Sequence, residues 1–217
     1  MARRLSALDQ ALAAAQHGLR TALDRHPPQT RATPGDDAPE ATLDRVQRQH
    51  AAGLMRVNHA GEVAAQALYR GQAAVARNPN TRAHLLEAAA EEQDHLAWCA
   101  ERLRALDARP SRLGPAWYAG SYAIGMLAGL AGDRVSLGFV SETERQVEQH
   151  LHAHLHDPER GLPAADARSR AVAAQMQADE AEHGAAARQA GGAPIPGPVR
   201  SLMRGVAKVM TGAAYWV

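Results

Sequence analysis

Four glutamates lie inside apolar stripes, and this pattern constrains the fold of the chain more than any other feature. Each stripe repeats its side chains at steps of three and four residues, the spacing of one face of an α-helix. A buried ionised carboxylate must be paired or bound to metal, or else take up a proton. The stripes, which contain no lysine or arginine, are Met55, Asn58, Glu62, Ala65 and Tyr69; Leu85, Ala88, Glu92, His95 and Cys99; Leu137, Val140, Glu144, Val147 and Leu151; and Val172, Met176, Glu180, His183 and Ala187.

The composition also favours helices. The chain has 217 residues, of which 46% are hydrophobic but only 4% aromatic, with a single Phe. Its long segments are rich in Ala, Leu, Glu, Arg and Gln, which form helices more readily than strands. We therefore predict an all-α protein of one domain with appendages.

Proline and glycine divide the sequence into helical blocks. Pro79, Pro110, Pro158 and the pair Gly191 and Gly192 each follow a long block, and three prolines between 194 and 198 precede a shorter one. These breaks predict four long helices and a fifth, shorter one. The predicted helices cover approximately 42–78, 81–107, 116–156, 163–190 and 199–214.

The first 41 residues differ from the rest. Leucines recur along one helix face in residues 1–26, whereas four prolines fall between 27 and 41. We predict an N-terminal helix over 1–26, an exposed Pro-rich linker over 27–41 and a main domain over 42–217.

Charge and cysteine content exclude several classes of protein. The formal net charge is only +1, from 24 basic and 23 acidic residues, so we expect no nucleic-acid partner. The one cysteine, Cys99, cannot form an internal disulfide or a thiolate metal site, and it is compatible with a reducing compartment. Asp9 and Asp24 interrupt the first apolar residues, so no secretory signal is predicted.

The order of the polar residues in the stripes predicts a two-metal site. A single Glu alternates twice with a Glu-x-x-His motif, which is the ligand set of a carboxylate-bridged di-metal centre in a four-helix bundle. Two divalent ions would balance four carboxylates, and the oxygen-rich set suits iron or manganese better than zinc. The candidate ligands are Glu62, Glu92, His95, Glu144, Glu180 and His183.

Other polar residues leave alternatives open. The inward Glu and His can instead be partly exposed residues of an ordinary helical bundle. Glu91 and Asp179 can orient the histidine of the opposite helix or simply face solvent. Four alternating histidines favour a solvated helix face over a second metal site: His150, His152, His154 and His156.

Four motifs resemble the demethoxyubiquinone hydroxylase family of ubiquinone biosynthesis. They are RVNHAGE at 56–62, EEQDH at 91–95, LGFVSETE at 137–144 and DEAEH at 179–183. The resemblance runs from about residue 43 to the C-terminus. It implies a ferritin-like fold and a di-iron monooxygenase that uses dioxygen to hydroxylate the benzoquinol ring of demethoxyubiquinol, a late step of ubiquinone biosynthesis.

The resemblance also implies cofactors and partners. The six candidate ligands would hold two iron ions per chain, with Glu92 and Glu180 bridging them. Two reducing electrons would come from NADH or from the quinol. The implied partners are a polyprenyl benzoquinol, the membrane surface and other ubiquinone-biosynthesis proteins. The implied location is peripheral, at the cytoplasmic face of a bacterial-type cell membrane.

Apolar segments distinguish this interpretation from its rivals. An iron-storage protein, a manganese catalase or a radical-generating di-iron subunit could use the same ligands. Those rivals do not explain an uncharged stretch at 113–132 or an amphipathic C-terminal segment at 199–217. We expect both segments to associate with membrane, and subunit packing is the alternative. A crossing at 116–132 is disfavoured because it would separate helices that share one metal site.

Overall fold

Every regular element in the described part of the protein is a helix. The computed structural model describes residues 29–217 and five isolated helical positions before them, Asp9, Leu12, Gln16, Gly18 and Arg20. The helix predicted over 1–26 therefore lies largely outside the described residues. Within 29–217 there is no strand, and the helices are α1 (Arg45–Val75), α2 (Pro79–Ala105), α3 (Gly114–Leu130), α4 (Asp133–His156), α5 (Ala167–Gln189) and α6 (Gly197–Trp216).

Polar side chains cap the helices that begin after loops. The Asp44 carboxylate accepts the Gln47 N–H, while the Gln47 side chain accepts the Asp44 N–H, which closes a capping box at the start of α1. The Asn78 side chain caps α2, ahead of a proline in the first turn. Asp166 caps α5 by accepting the Ser169 N–H.

The third predicted helix, 116–156, is wrong in one respect, because two helices occupy that range. The chain turns at Gly132, whose φ of 113° is a conformation that favours glycine. The Asp133 carboxylate then accepts the N–H groups of Arg77 and Asn78, which fastens the start of α4 to the loop between α1 and α2. A helix cannot continue through this backbone, so α3 and α4 are separate elements.

Two helical hairpins form the four-helix bundle. Helices α1 and α2 pack as one pair, α4 and α5 as the other, and α2 also contacts α5. Helix α3 connects the hairpins and lies against α1, as α6 does. The predicted stripes face the core: every stripe residue is buried except three that are partly exposed, Ala65, Val147 and His183.

Helices α1 and α3 approach each other through glycines. A Cβ atom on Gly71 would overlap the carbonyl oxygen of Tyr122, and one on Gly125 would overlap that of Leu68. The opposite side of α3 is open, and Leu127 and Leu130 are 68% and 55% exposed. Among the described residues, no helix is both long enough and apolar enough to cross a membrane.

This close packing predicts a position-specific effect of adding one methyl group. We expect Gly125→Ala to lower the free energy of unfolding by about 1–3 kcal/mol, because the helices must separate to accept the Cβ atom. Gly120→Ala is the matched control on the same helix, since nothing lies within 4 Å of its Cβ position. The control should be neutral or stabilise the protein by about 0.5–1 kcal/mol. Urea unfolding of both variants measures the difference, and equal midpoints would contradict the packing described.

Candidate metal centre

The six predicted ligands come together in the middle of the bundle. Helix α1 contributes Glu62 and α4 contributes Glu144, while α2 and α5 contribute one Glu and one His each. Each of the four glutamates is at most 2% exposed. The potential ligand atoms form two groups, each within 4.8 Å, and Glu92 and Glu180 belong to both. The groups are Glu62, Glu92, His95 and Glu180, and Glu92, Glu144, Glu180 and His183.

Both histidines direct the same ring nitrogen toward the carboxylates. His95 Nδ1 lies 2.9 Å from Glu92 Oε2 and 3.3 Å from Glu180 Oε1. His183 Nδ1 lies 3.3 Å from Glu180 Oε2 and 3.3 Å from Glu92 Oε1. Each imidazole therefore contacts both glutamates that are common to the two groups.

The other ring nitrogen of each histidine meets a carboxylate from the opposite helix. His95 Nε2 lies 2.9 Å from Asp179 Oδ2, and His183 Nε2 lies 2.6 Å from Glu91 Oε2. These are the contacts that the suggested orienting role of Glu91 and Asp179 requires. A carboxylate at Nε2 holds the proton on that nitrogen and leaves Nδ1 available as a ligand.

Burial and neighbouring charges shift the pKa values of the acidic groups. Burial raises the pKa of Glu62 well above its usual range, against the hydrogen bond from His95. Burial, together with the charge and hydrogen bond of Glu180, raises the pKa of Glu144 well above its usual range. Burial also acts to raise the pKa of Glu92, but the charge of His95 and hydrogen bonds from both histidines outweigh it and lower that pKa.

The pKa values of both histidines are raised, whereas burial alone lowers the pKa of an imidazole. Burial alone would lower the pKa of His183, but hydrogen bonds and charges from Glu180 and Glu92 raise it to about 12. His95 has a pKa raised well above its usual range, because Glu92 and its other acidic neighbours outweigh burial. The raised pKa values thus favour protons on both histidines, at positions where a metal-loaded site would bind cations.

The cluster is well suited to two divalent cations. Three carboxylate oxygens, Glu62 Oε2, Glu92 Oε1 and Glu144 Oε1, are buried without a well-aligned hydrogen-bond donor. Buried polar atoms in this state need another partner, and a cation supplies one. Four carboxylates and two imidazoles form the oxygen-rich donor set that suits iron or manganese.

Sequence reasoning missed two residues beside the centre, Arg31 and Asp94. Arg31 Nη2 donates to Asp179 Oδ2 at 2.8 Å, and its Nε donates to Asp94 Oδ2 at 3.2 Å. No periodicity or motif marks Arg31, which belongs to the Pro-rich segment before α1. Its contacts span 63 and 148 residues of sequence, so no local signal could reveal them.

The histidines near the end of α4 form two different pairs. His152 and His156 are exposed, as predicted, but His154 is buried and His150 is partly buried. The rings of His150 and His154 are 4.1 Å apart, and burial lowers the pKa of His154 to about 2. The prediction of a solvated face is therefore wrong for this inner pair. Within the described residues, neither belongs to a group of three or more potential metal ligands.

Known proteins are similar to this chain over most of its length. The family model described as ubiquinone biosynthesis protein COQ7 matches residues 49–214. A Cupriavidus pinatubonensis protein named 3-demethoxyubiquinol 3-hydroxylase is 63% identical over 187 residues, which cover 85% of this chain and 88% of the relative. A protein of the same name from Xanthomonas axonopodis pv. citri is 58% identical over 210 residues, which cover 97% of this chain and 94% of the relative.

The raised pKa values predict that metal uptake releases protons. Metal ions bind the deprotonated ligands, whereas the raised pKa values of Glu62, Glu144, His95 and His183 favour their protonated forms. We therefore expect the affinity of the metal-free protein for Co(II) to rise from about pH 6 to about pH 8, by about tenfold per pH unit for each proton displaced. Titration in a pH-stat measures the protons released.

Two variants of α4 test the origin of these protons. Glu144→Gln should release about one proton fewer and bind Co(II) more weakly, because the amide offers one neutral ligand oxygen. Glu142→Gln is the control, because the Arg145 hydrogen bond lowers the pKa of Glu142 and leaves it no proton to release. Affinity that stays constant across this pH range would contradict the protonated cluster.

Proposed function

The chain belongs to the family of the ubiquinone biosynthesis protein COQ7, and on that premise we propose that it is a 3-demethoxyubiquinol 3-hydroxylase. It adds a hydroxyl group to the benzoquinol ring of its substrate, as the names of its relatives indicate for those proteins. The observation that carries the proposal is the buried cluster of four carboxylates and two imidazoles, which is suited to a metal-dependent oxidation.

Two iron ions would be held by the six clustered residues, with Glu92 and Glu180 shared between them. Bound iron would supply the activation of dioxygen, with two electrons from NADH or from the quinol. The protein's own contribution is to arrange ligands whose charges cancel those of the ions. The carboxylates Asp179 and Glu91 hold the two imidazoles in the ligating orientation.

The bundle keeps water away from the cluster on two sides. On one side lies an apolar layer that includes Met55, Cys99 and Met176, and on the other a layer that includes Tyr69 and Leu85. Excluding water strengthens the electrostatic interactions of the ligands and protects reactive species from side reactions.

Exposed apolar side chains support a lipid-soluble substrate and attachment to a membrane surface. On α6, Leu202 is 67% exposed, Val209 is 68% exposed and Trp216 is 81% exposed. Arg204 and Lys208, which lie between Leu202 and Val209 in the sequence, are also exposed and could bind anionic lipid headgroups. We propose peripheral attachment at the cytoplasmic face of the bacterial membrane, where a polyprenyl benzoquinol would be available, alongside other ubiquinone-biosynthesis proteins.

The reaction predicts a specific quinone profile. Cells that lack this protein should accumulate demethoxyubiquinone and lose ubiquinone, and the wild-type gene should restore ubiquinone. Glu180→Ala should fail to restore it, because Glu180 contributes to both groups of potential ligands. Chromatography of lipid extracts gives the measurement.

Glu182→Ala is the matched control, since Glu182 is an exposed glutamate on the same helix. It should restore ubiquinone as the wild type does. A normal quinone profile in the deletion strain, without a second hydroxylase, would defeat the proposal in favour of iron storage.

Membrane attachment predicts that apolar residues of α6 determine vesicle binding. The double variant Leu202→Ser, Val209→Ser should bind anionic vesicles at least about tenfold more weakly, because each buried Leu or Val side chain contributes about 1.5–3 kcal/mol. Val46→Ser is the control, because Val46 is 74% exposed at the start of α1. Co-sedimentation measures the bound fraction. If the double variant changes oligomeric state and leaves vesicle binding intact, subunit packing explains this face.

A further inference from the structure

The segment before α1 is fastened to α2 beside the metal centre. Thr30 donates its N–H and its hydroxyl to the two carboxylate oxygens of Asp94, at 2.6 and 2.7 Å. Arg31 Nε donates to Asp94 as well, at 3.2 Å. The Arg31 guanidinium also lies 4.7 Å from the ring centroid of Trp98, which is a favourable cation–π distance. These contacts fix Arg31 next to His95.

Arg31 and His95 share one oxygen atom of Asp179. Arg31 Nη2 donates to Asp179 Oδ2 at 2.8 Å, and His95 Nε2 lies 2.9 Å from the same oxygen. The Gln175 amide donates to the other oxygen, Oδ1, at 2.9 Å. The carboxylate is therefore held from three directions, and it can turn only by breaking a hydrogen bond with a charged group.

The second histidine has an orienting carboxylate too, but in the described part of the chain that carboxylate has no arginine or lysine partner. The Glu91 side chain is 52% exposed, whereas that of Asp179 is 13% exposed. Among residues 29–217, Glu91 forms an ion pair with His183 and with no lysine or arginine. The two histidine positions, alike in the bundle itself, thus differ because of the segment before α1.

We propose that Arg31 is a positioning residue for the His95 side of the metal centre. By holding Asp179, it fixes the His95 ring with Nδ1 toward Glu92 and Glu180, and it makes this metal position bind a divalent cation more tightly than the His183 position. Carboxylates that orient a ligating histidine typically change metal affinity about 10–100-fold. The inference rests on the metal centre of the proposed function. Arg31 itself precedes residues 49–214, which match the family model.

Co(II) binding to the metal-free full-length protein tests this role without using hydroxylase activity. The wild type should bind two Co(II) ions with different affinities. Arg31→Ala should weaken the tighter site about tenfold and leave the weaker site unchanged. Thr33→Ala is the matched control, because Thr33 also anchors this segment, through a 2.7 Å hydrogen bond to Glu101, without contacting Asp94 or Asp179. Both Co(II) affinities of the control should match the wild type.

Proton NMR of the Co(II)-loaded protein identifies the affected side. Each ligating imidazole should give one shifted, exchangeable Nε2–H resonance, and Glu91→Gln assigns the one that belongs to His183. Arg31→Ala should speed solvent exchange of the other resonance, because Asp179 then holds the His95 proton less firmly.

Three results would overturn the proposal. They are unchanged Co(II) affinities in Arg31→Ala, equal weakening of both sites, and the same effect in Thr33→Ala. All three leave the metal centre itself intact. A wild-type protein that binds fewer than two Co(II) ions would instead overturn the metal centre, and the role of Arg31 with it.

Discussion

Four glutamates buried in one cluster are the constraint on which the rest of the structure depends. Each is at most 2% exposed, so none can be stabilised by water. Carboxylates at such short distances cannot all be negatively charged unless cations lie beside them, because their repulsion grows as water is removed. Without cations, some of them must bind protons. The cluster can compensate this negative charge in three ways. The two imidazoles can carry positive charge, the raised pKa values of Glu62 and Glu144 favour their neutral forms, and the two groups of ligand atoms could hold metal ions.

The same constraint explains why so much of the site could be predicted from sequence. A carboxylate in an apolar stripe is buried and therefore needs a partner for its charge. The Glu-x-x-His spacing places a glutamate and a histidine on the same helix face, where both can bind one cation. Helical periodicity alone therefore placed Glu62, Glu92, Glu144 and Glu180 inside the bundle, and the structure brings them together. The opposition of Glu91 to His183 follows from the same spacing, because the facing helix carries a matching motif.

Features that depend on backbone conformation or distant contacts were not predictable in this way. The turn at Gly132 divides a range whose composition suits one continuous helix, and only its φ of 113° reveals the break. Arg31 lies in a segment without periodicity, and its partners come from α2 and α5. His154 belongs to an alternating run of histidines, but it is buried because of how α4 packs in the folded bundle. In each case the decisive interaction involves residues that local sequence does not bring together.

Helix α1 connects the metal centre with the apolar surface of the protein. Its inward face carries Glu62, while its other faces pack against α3 and α6, which expose apolar side chains. Glycines hold it close to both neighbours: a Cβ on Gly53 would overlap the Tyr215 ring, and one on Gly71 would overlap the backbone of Tyr122. Close packing at both positions leaves α1 little freedom to shift relative to α3 and α6. Since α1 also carries the candidate ligand Glu62, this one rigid helix links the geometry of the candidate centre to the placement of the apolar surface.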